Sequence, residues 1–102
     1  MTRLFIDDER FPVDADWKIV RTSQAAIEFM ANHGWPSYIS FDHDLGGDDT
    51  SRRVVNWMIE QALDGLYRGP MPEYYVHSQN PVGRDWINAR MRDLARALNL
   101  QE

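Results

Sequence analysis

Four short apolar runs are interleaved in this chain with three longer segments whose apolar residues recur every three or four positions. The runs are LFI, WKIV, YISF and EYYV, in that order. Runs of this length are typical of buried strands, and the longer spacing is typical of amphipathic helices. The predicted order of strand, strand, helix, strand, helix, strand, helix favours an α/β fold with a mostly parallel sheet. We predict three layers, with a four-stranded sheet in the order 2-1-3-4 and helices on its faces.

Capping residues and apolar stripes predict the three helices, and FPVDAD is a predicted loop between the first two strands. The first helix is predicted within SQAAIEFMANHG, with Thr22 or Ser23 as its cap and Gly34 at its end. Asn80 followed by Pro81 is typical of a helix start and predicts the third helix. The second helix has the widest predicted apolar stripe, which comprises Val54, Val55, Met58, Ile59, Ala62, Leu63 and Leu66.

Composition limits the class of protein. The 102 residues are 43% apolar and include no cysteine, so we expect one domain, residues 1–102, with a packed core and without disulfides or cysteine metal sites. No apolar run is long enough to span a bilayer, and the N-terminus lacks the pattern of a signal peptide. A net charge of −5 argues against binding of duplex DNA. We expect a cytoplasmic protein with no membrane partner, and the oligomeric state is left open.

Acidic residues and a histidine follow two of the predicted strands at the points where those strands end. Asp7 and Asp8 follow the first strand, and Asp42, His43 and Asp44 follow the third. Because the carboxyl ends of parallel strands meet at one edge of a sheet, we expect these groups to converge. Carboxylates held close together must take up protons or share a cation. We predict Mg²⁺ (or Mn²⁺) as that cation, with Asp7, Asp8 and Asp42 as ligands and Asp44 as a further candidate.

The fourth strand ends in HSQNPVGR, which adds groups that bind anions. A helix that starts after Asn80 presents free N–H groups and the positive end of its dipole. We therefore predict that a phosphate contacts Ser78, Asn80, Arg84 and Arg10. A metal ion on one wall and this anion site on the other fit a phosphate ester.

Each of these motifs also has an ordinary structural interpretation. An Asp-Asp pair after a strand is often a turn or a helix cap, and Asn-Pro is a common helix start. A single histidine is more often a packed or surface residue than a catalyst, and we interpret His33 in that way. The meeting of three unusual strand ends at one predicted edge favours a functional site.

The segments LFIDDER and ISFDHDLG resemble the receiver domains of two-component signalling. The resemblance implies that Asp7 and Asp8 are the magnesium-binding acidic pair and that Asp42 is the phosphoryl acceptor. Receiver domains also have a fifth strand that ends in a lysine. Here the single lysine, Lys18, belongs to the second predicted strand, and no fifth strand is predicted, so the resemblance does not imply a phosphorylation switch.

The full set of LFIDDERFP, ISFDHDLGG and VHSQNPVGR resembles a divergent branch of that fold, the cyclic-phosphate processing receiver-like domains. This resemblance spans nearly the whole chain. It implies a metal-dependent phosphoesterase that hydrolyses a cyclic phosphate, either an RNA 2′,3′-cyclic phosphate end or a cyclic nucleotide. The implied partner is accordingly a small phosphate ester or an RNA end, and the implied cofactor is Mg²⁺ or Mn²⁺.

Hydrolysis of a cyclic ester requires a proton for the leaving oxygen, and an imidazole titrates near neutral pH. His77 or His43 is the predicted acid or base, with His77 preferred because it ends the neighbouring strand. Asp44 is either a ligand or the residue that orients a histidine, and Asp42 is either a ligand or a nucleophile.

The alternative to an enzyme is a non-catalytic module that binds a phosphorylated ligand or a protein partner. A fold kept only for assembly predicts no metal affinity.

Overall fold

The computed structural model describes residues 2–100, which form four strands and three helices. The strands are β1 (Arg3–Ile6), β2 (Trp17–Val20), β3 (Tyr38–Phe41) and β4 (Glu73–Val76), and the helices are α1 (Ser23–His33), α2 (Arg52–Leu63) and α3 (Pro81–Asn99). All seven elements fall where the sequence predicts them. Among residues 2–100, no helix combines the length and the apolar character needed to cross a bilayer.

The four strands form one parallel sheet in the order β2-β1-β3-β4. The receiver-like α/β class and the predicted strand order are both confirmed. In the central register Phe5 lies between Ile19 and Ser40. Because all strands run in one direction, the residues that follow β1, β3 and β4 meet at the same edge of the sheet.

The helices lie on one face of the sheet, which differs from the three-layer arrangement predicted. The connections β2–α1–β3 and β3–α2–β4 move across the sheet in the same direction, so right-handed crossovers place both helices on the same face. Contacts of α2 with α1 and with α3 agree with this placement. Only the β1–β2 connection moves the other way, and residues 7–16 contain no helix. A loop therefore takes the place of the expected third layer.

The core lies between the sheet and the helices. Alternate strand residues, including Leu4, Ile6, Ile39 and Phe41, are fully buried against the helices. The α2 stripe is buried from Val54 to Ala62, but the predicted core positions Leu63 and Leu66 are 66% and 72% exposed. Leu63 is the last residue of α2 and Leu66 lies beyond it. The helical stripe therefore ends earlier than the apolar spacing indicates.

Side-chain caps begin two of the helices. The hydroxyl of Thr22 accepts a hydrogen bond from the Ala25 N–H, so Thr22 and not Ser23 is the α1 cap. The Asn80 side chain accepts from the Gly83 N–H and caps α3, with Pro81 at the first helical position. These bonds satisfy N–H groups that have no partner within a helix. The second cap fixes where the N-terminus of α3 meets the edge of the sheet.

Candidate active site

The carboxylate of Asp7 occupies the centre of the strand edge. It follows β1 directly and is fully buried. Its Oδ1 accepts hydrogen bonds of 2.9 Å from the backbone N–H groups of both Glu9 and Arg10. These two bonds hold the turn by which the chain leaves the sheet. Its Oδ2 accepts from Arg10 Nε and contacts His77 Nε2, each at 2.9 Å. The carboxylate therefore has four partners from three residues.

These partners decide the charge of the Asp7 carboxyl group. Burial by itself raises its pKa, but the N–H groups of Arg10 and Glu9, the His77 hydrogen bond and the Arg10 charge outweigh burial and lower the pKa to about 2. Asp7 is consequently ionised near neutral pH. Because an ionised carboxylate only accepts hydrogen bonds, His77 must donate through its Nε2–H.

Arg10 joins the two acidic strand ends. Its Nη2 lies 3.3 Å from Asp42 Oδ2 while its Nε contacts Asp7. Burial by itself lowers the pKa of Arg10. The charges of Asp7 and Asp42 outweigh burial, so the net pKa is raised and the guanidinium stays positive. A protein cation thus compensates the carboxylates for which the sequence predicted a metal ion. Arg10 itself was predicted as a phosphate ligand, and in this structure its partners are the two aspartates.

His77, which follows β4, lies in the middle of a chain of polar contacts that joins Ser40 of β3 to Asp7 at the end of β1. Its Nδ1 lies 2.7 Å from the Ser40 hydroxyl and its Nε2 contacts Asp7. Its ring stacks on Phe5, with ring centroids 4.7 Å apart and planes 5° apart. The partners on both sides and the stacked ring hold the imidazole in one orientation. With Nε2 protonated, Nδ1 accepts from Ser40 or, in the imidazolium, donates to it.

Asp7 and Asp42 offer a carboxylate pair that fits a divalent cation, and His77 lies beside them as a hydrogen-bond donor to Asp7. One polar side-chain atom from each of the three residues lies within 4.8 Å of the others. Two carboxylates suit Mg²⁺ or Mn²⁺, and both ions accept additional water ligands. The pair also contacts Arg10, so an ion there and the Arg10 contacts compete for the same oxygens. The other two predicted ligands, Asp8 and Asp44, are exposed and lie outside this cluster.

His43 lies beneath the start of α3 rather than in an open site. The residue is 5% exposed, and its Nε2 accepts from Arg52 Nε at 2.9 Å while its Nδ1 lies 2.7 Å from Asp44 Oδ1. This pattern requires the Nδ1–H tautomer. The hydrogen bond from His43 is the main reason that the pKa of Asp44 is lowered. Of the two roles predicted for Asp44, the geometry matches the one of orienting a histidine.

A cavity of about 580 Å³ opens at this edge, and we call it the acidic cavity. Its wall includes Ser78 and Asn80 from the β4–α3 connection, as predicted for an anion site. Arg84 does not belong to this wall, and its Nε lies 4.0 Å from Asp85. The complete lining is Asp8, Glu9, Arg10, Asp42, Asp44, Gly46, Gly47, Ser78, Gln79 and Asn80.

Two residues that shape this region carry only weak signals in the sequence. Ser40 is the one serine within the apolar run YISF. Because side chains alternate along a strand, its position one residue before Phe41 is the clue that it faces away from the core. Gly83 is buried against His43, and an added Cβ would lie 2.3 Å from the ring. A glycine in the first turn of a helix otherwise only lowers its stability, so a close approach is the physical reason for it.

The comparisons with known proteins agree with the architecture and with the motifs. Residues 2–93 match the family described as the cyclic-phosphate processing receiver domain. No curated protein and no solved structure matches the chain. The match includes all four strands, α1, α2 and the acidic and histidine-containing strand ends, so it extends over the whole of the acidic cavity. The chain therefore belongs to the family of cyclic-phosphate processing receiver domains.

Proposed function

We propose that this domain hydrolyses a cyclic phosphate at the acidic cavity with the help of a divalent cation. The observation that carries the proposal is the convergence of Asp7 and His77 with Asp42, which lines the acidic cavity: one polar side-chain atom of each residue lies within 4.8 Å of the others. The family to which the chain belongs is named for cyclic-phosphate processing. Both a cyclic nucleotide and an RNA 2′,3′-cyclic phosphate end contain the reacting group.

In the proposed reaction, water attacks phosphorus and one ring P–O bond breaks. The products are a phosphomonoester and a free hydroxyl, so one proton moves from water to the leaving oxygen. We assign this transfer to His77: as the imidazolium, oriented by Asp7 and Ser40, it gives its Nε2 proton to the leaving oxygen and keeps its Nδ1–H towards Ser40, and the proton that the attacking water releases restores it. His43 is not assigned to this step because both of its ring nitrogens have protein partners and its ring is buried.

Asp7 and Asp42 are the residues that would hold the divalent cation, with His77 beside them. When bound, such an ion polarises the phosphoryl oxygens and lowers the pKa of a coordinated water. With the carboxylates engaged by such an ion, Arg10 would be available to the phosphate, which is its predicted role. Ser78 and Asn80 line the opposite wall, where an anion also meets the N-terminus of α3.

The test compares two histidine variants with adenosine 2′,3′-cyclic phosphate and MnCl₂. His77→Gln should lower kcat about 10²- to 10⁴-fold, because it removes the proton donor. His33→Gln is the matched control, since His33 is exposed at the end of α1, and its kcat should equal that of the wild type. Equal kcat values for the two variants would overturn the role of His77. No turnover of any of the four common 2′,3′-cyclic nucleotides by the wild type would overturn the enzyme proposal.

A second candidate function, a non-catalytic module that binds a phosphorylated ligand, is favoured by one observation. Arg10 already contacts both Asp7 and Asp42, so a protein cation serves the two carboxylates without an added ion. A binding module predicts that adenosine 3′-monophosphate binds with the same affinity in the presence of EDTA. The enzyme proposal predicts that EDTA removes both turnover and the part of the binding that depends on the cation.

A further inference from the structure

The face of the sheet that carries no helix contains an aromatic cleft. Its volume is about 310 Å³, which is at the lower end of the range for small-molecule sites. Phe5 and Ser40 form its floor, Trp17 and Tyr75 are on neighbouring strands, and Phe11 comes from the β1–β2 loop. We refer to these five residues, together with Arg10 and His77, as the aromatic cleft.

Two of the aromatic side chains of the cleft are largely exposed. Tyr75 is 61% exposed and Phe11 is 72% exposed. Phe5 and Trp17 pack edge to face, with centroids 5.8 Å apart, and hold a fixed apolar surface beneath them. Exposed aromatic rings around a preformed cavity are typical of sites that stack a flat ring.

Two arginines fix the loop that forms one wall of the cleft. Arg21 donates to the carbonyl oxygens of Asp7 and Arg10, and its guanidinium lies 4.7 Å from the centroid of the Phe11 ring. Arg3 donates to the carbonyl oxygen of Ala15. Because the loop is tied to the sheet at both ends, the cleft is a built cavity and not a chance opening between side chains.

The cleft and the acidic cavity share one wall residue. Arg10 lines both of them. His77 lines the cleft, while its Nε2 contacts the Asp7 carboxylate. A ligand whose phosphate lies at Asp42 and Arg10 therefore has the cleft as the adjoining space for the group attached to that phosphate.

We propose that the aromatic cleft binds the nucleobase of the substrate, so that the cyclic phosphate processed at the acidic cavity is that of a nucleoside. This inference rests on the proposed function and adds to it a subsite for the base, with the residues that form it. A base stacks on the rings of Tyr75 and Phe11, and the ribose spans the short distance past His77 to the acidic cavity. A cyclic phosphate without an aromatic group, such as glycerol 1,2-cyclic phosphate, leaves the cleft empty.

The kinetic test compares these two substrates in the full chain. Tyr75→Ala and Phe11→Ala should each raise KM for adenosine 2′,3′-cyclic phosphate about 5- to 100-fold, the usual effect of losing one stacked ring. Neither should change KM for glycerol 1,2-cyclic phosphate. Leu66→Ala is the matched control, because Leu66 is also 72% exposed but lies beyond α2, and it should change neither KM. Equal KM values of Tyr75→Ala and wild type for the nucleotide would overturn the inference while leaving the proposed hydrolysis intact.

A binding measurement separates the two proposals. In calorimetric titrations, adenosine 3′-monophosphate should bind the wild type more tightly than glycerol 2-phosphate, and Tyr75→Ala should remove most of that difference. If no substrate is hydrolysed but this difference is found, the hydrolysis fails and the base subsite stands. If the two phosphates bind with equal affinity, the base subsite fails whether or not hydrolysis is observed.

The same kinetics identify the source of the nucleoside. A dinucleotide that ends in the same 2′,3′-cyclic phosphate brings an additional negative phosphate past the exposed carboxylates Asp14 and Asp16 of the loop. A lower KM for the dinucleotide assigns the site to an RNA end, and a higher KM assigns it to a free nucleotide. Both results require the base to occupy the cleft, so in both cases Tyr75→Ala must raise KM.

Discussion

At the scale of residues, the buried Asp7 carboxylate organises both the local backbone and the candidate site. One oxygen fixes the turn at Glu9 and Arg10, and the other receives Arg10 and His77. Such a group stabilises the folded protein only while it is ionised, since the hydrogen bonds and the Arg10 charge favour the anion. The stability of the protein should therefore depend on pH in the acidic range.

The sign of that dependence follows from the lowered pKa of Asp7. Its value of about 2 in the folded protein, against 3.8 for the ordinary carboxyl group, means that its contribution of about 2 kcal/mol is complete above pH 4. The contribution is lost as the pH falls from about 4 to 2. In urea unfolding, the free-energy difference between wild type and Asp7→Asn should accordingly be large at pH 6 and shrink towards pH 2.5.

The control for this prediction is Asp85→Asn, at a side chain that is 81% exposed on α3. Its difference from the wild type should stay within about 0.5 kcal/mol at every pH. A difference between wild type and Asp7→Asn that does not change with pH would mean that the charge of Asp7 adds nothing to folding stability.

Arg10 supplies a second prediction at this scale, because it and a divalent cation compete for Asp7 and Asp42. Arg10→Ala removes the guanidinium and leaves two carboxylates without a cation, so the affinity for Mn²⁺ should rise about tenfold. The measurement is a calorimetric titration with MnCl₂. Arg92→Ala, at an exposed position on α3, is the control and should bind Mn²⁺ as the wild type does. An unchanged or weaker affinity in Arg10→Ala would contradict the competition.

The sequence predicted which residues lie at the carboxyl ends of the strands better than it predicted the contacts that those residues make. Asp7 and Asp42 were identifiable because each follows an apolar run and parallel strands end together. That Arg10 pairs with both of them depends on the turn that Asp7 Oδ1 forms, and the segment DDER fits an exposed turn equally well. Asp8, next in the chain, points to the cavity without joining the cluster, because adjacent residues at a strand end face different ways.

At the scale of elements, the N-terminus of α3 is positioned by the close approach of Gly83 to the buried ring of His43. A Cβ at Gly83 would lie 2.3 to 2.7 Å from three ring atoms, and the ring is held between Asp44 and Arg52. Neither the ring nor the helix has room to move without breaking these bonds. The glycine therefore determines how near α3 lies to the end of β3.

Gly83→Ala tests this contact directly. Alanine improves helix propensity by about 1 kcal/mol, but overpacking against the ring should cost more, for a net loss of about 1–3 kcal/mol in the free energy of unfolding. Urea unfolding measures the change. The neighbouring Val82→Ala, at a side chain that is 70% exposed, should be nearly neutral. A stabilised Gly83→Ala would show that the helix does not pack on His43.

The helices also show where periodicity stops being informative. Leu63 and Leu66 continue the apolar spacing of α2, yet both are exposed because the helix ends at Leu63 and Gly65 adopts a φ of +72°. The spacing of apolar residues does not record where a chain turns. In contrast, Thr22 and Asn80 are capping residues whose side-chain bonds define the boundaries of α1 and α3, so these boundaries were predictable.

At the scale of the whole molecule, the order of the elements was sufficient to predict a parallel sheet in the order 2-1-3-4. The single helical layer was predictable from the same order, because FPVDAD was identified as a loop and the other two crossovers run in one direction. The alternation of strands and helices by itself had predicted helices on both faces, and therefore three layers. What the sequence could not provide is the aromatic cleft, which exists because a loop, and not a helix, crosses the second face.

The most direct test of the central claim, that Asp7, Asp42 and His77 form one hydrolytic site, is ³¹P NMR of a nucleoside 2′,3′-cyclic phosphate incubated with the protein and MgCl₂. With the wild type and with Asp64→Asn, a variant at the exposed C-terminal cap of α2, the cyclic resonance should give way to that of a phosphomonoester. With Asp42→Asn the cyclic resonance should persist. Conversion at the same rate by Asp42→Asn, or no conversion by the wild type, would contradict the account.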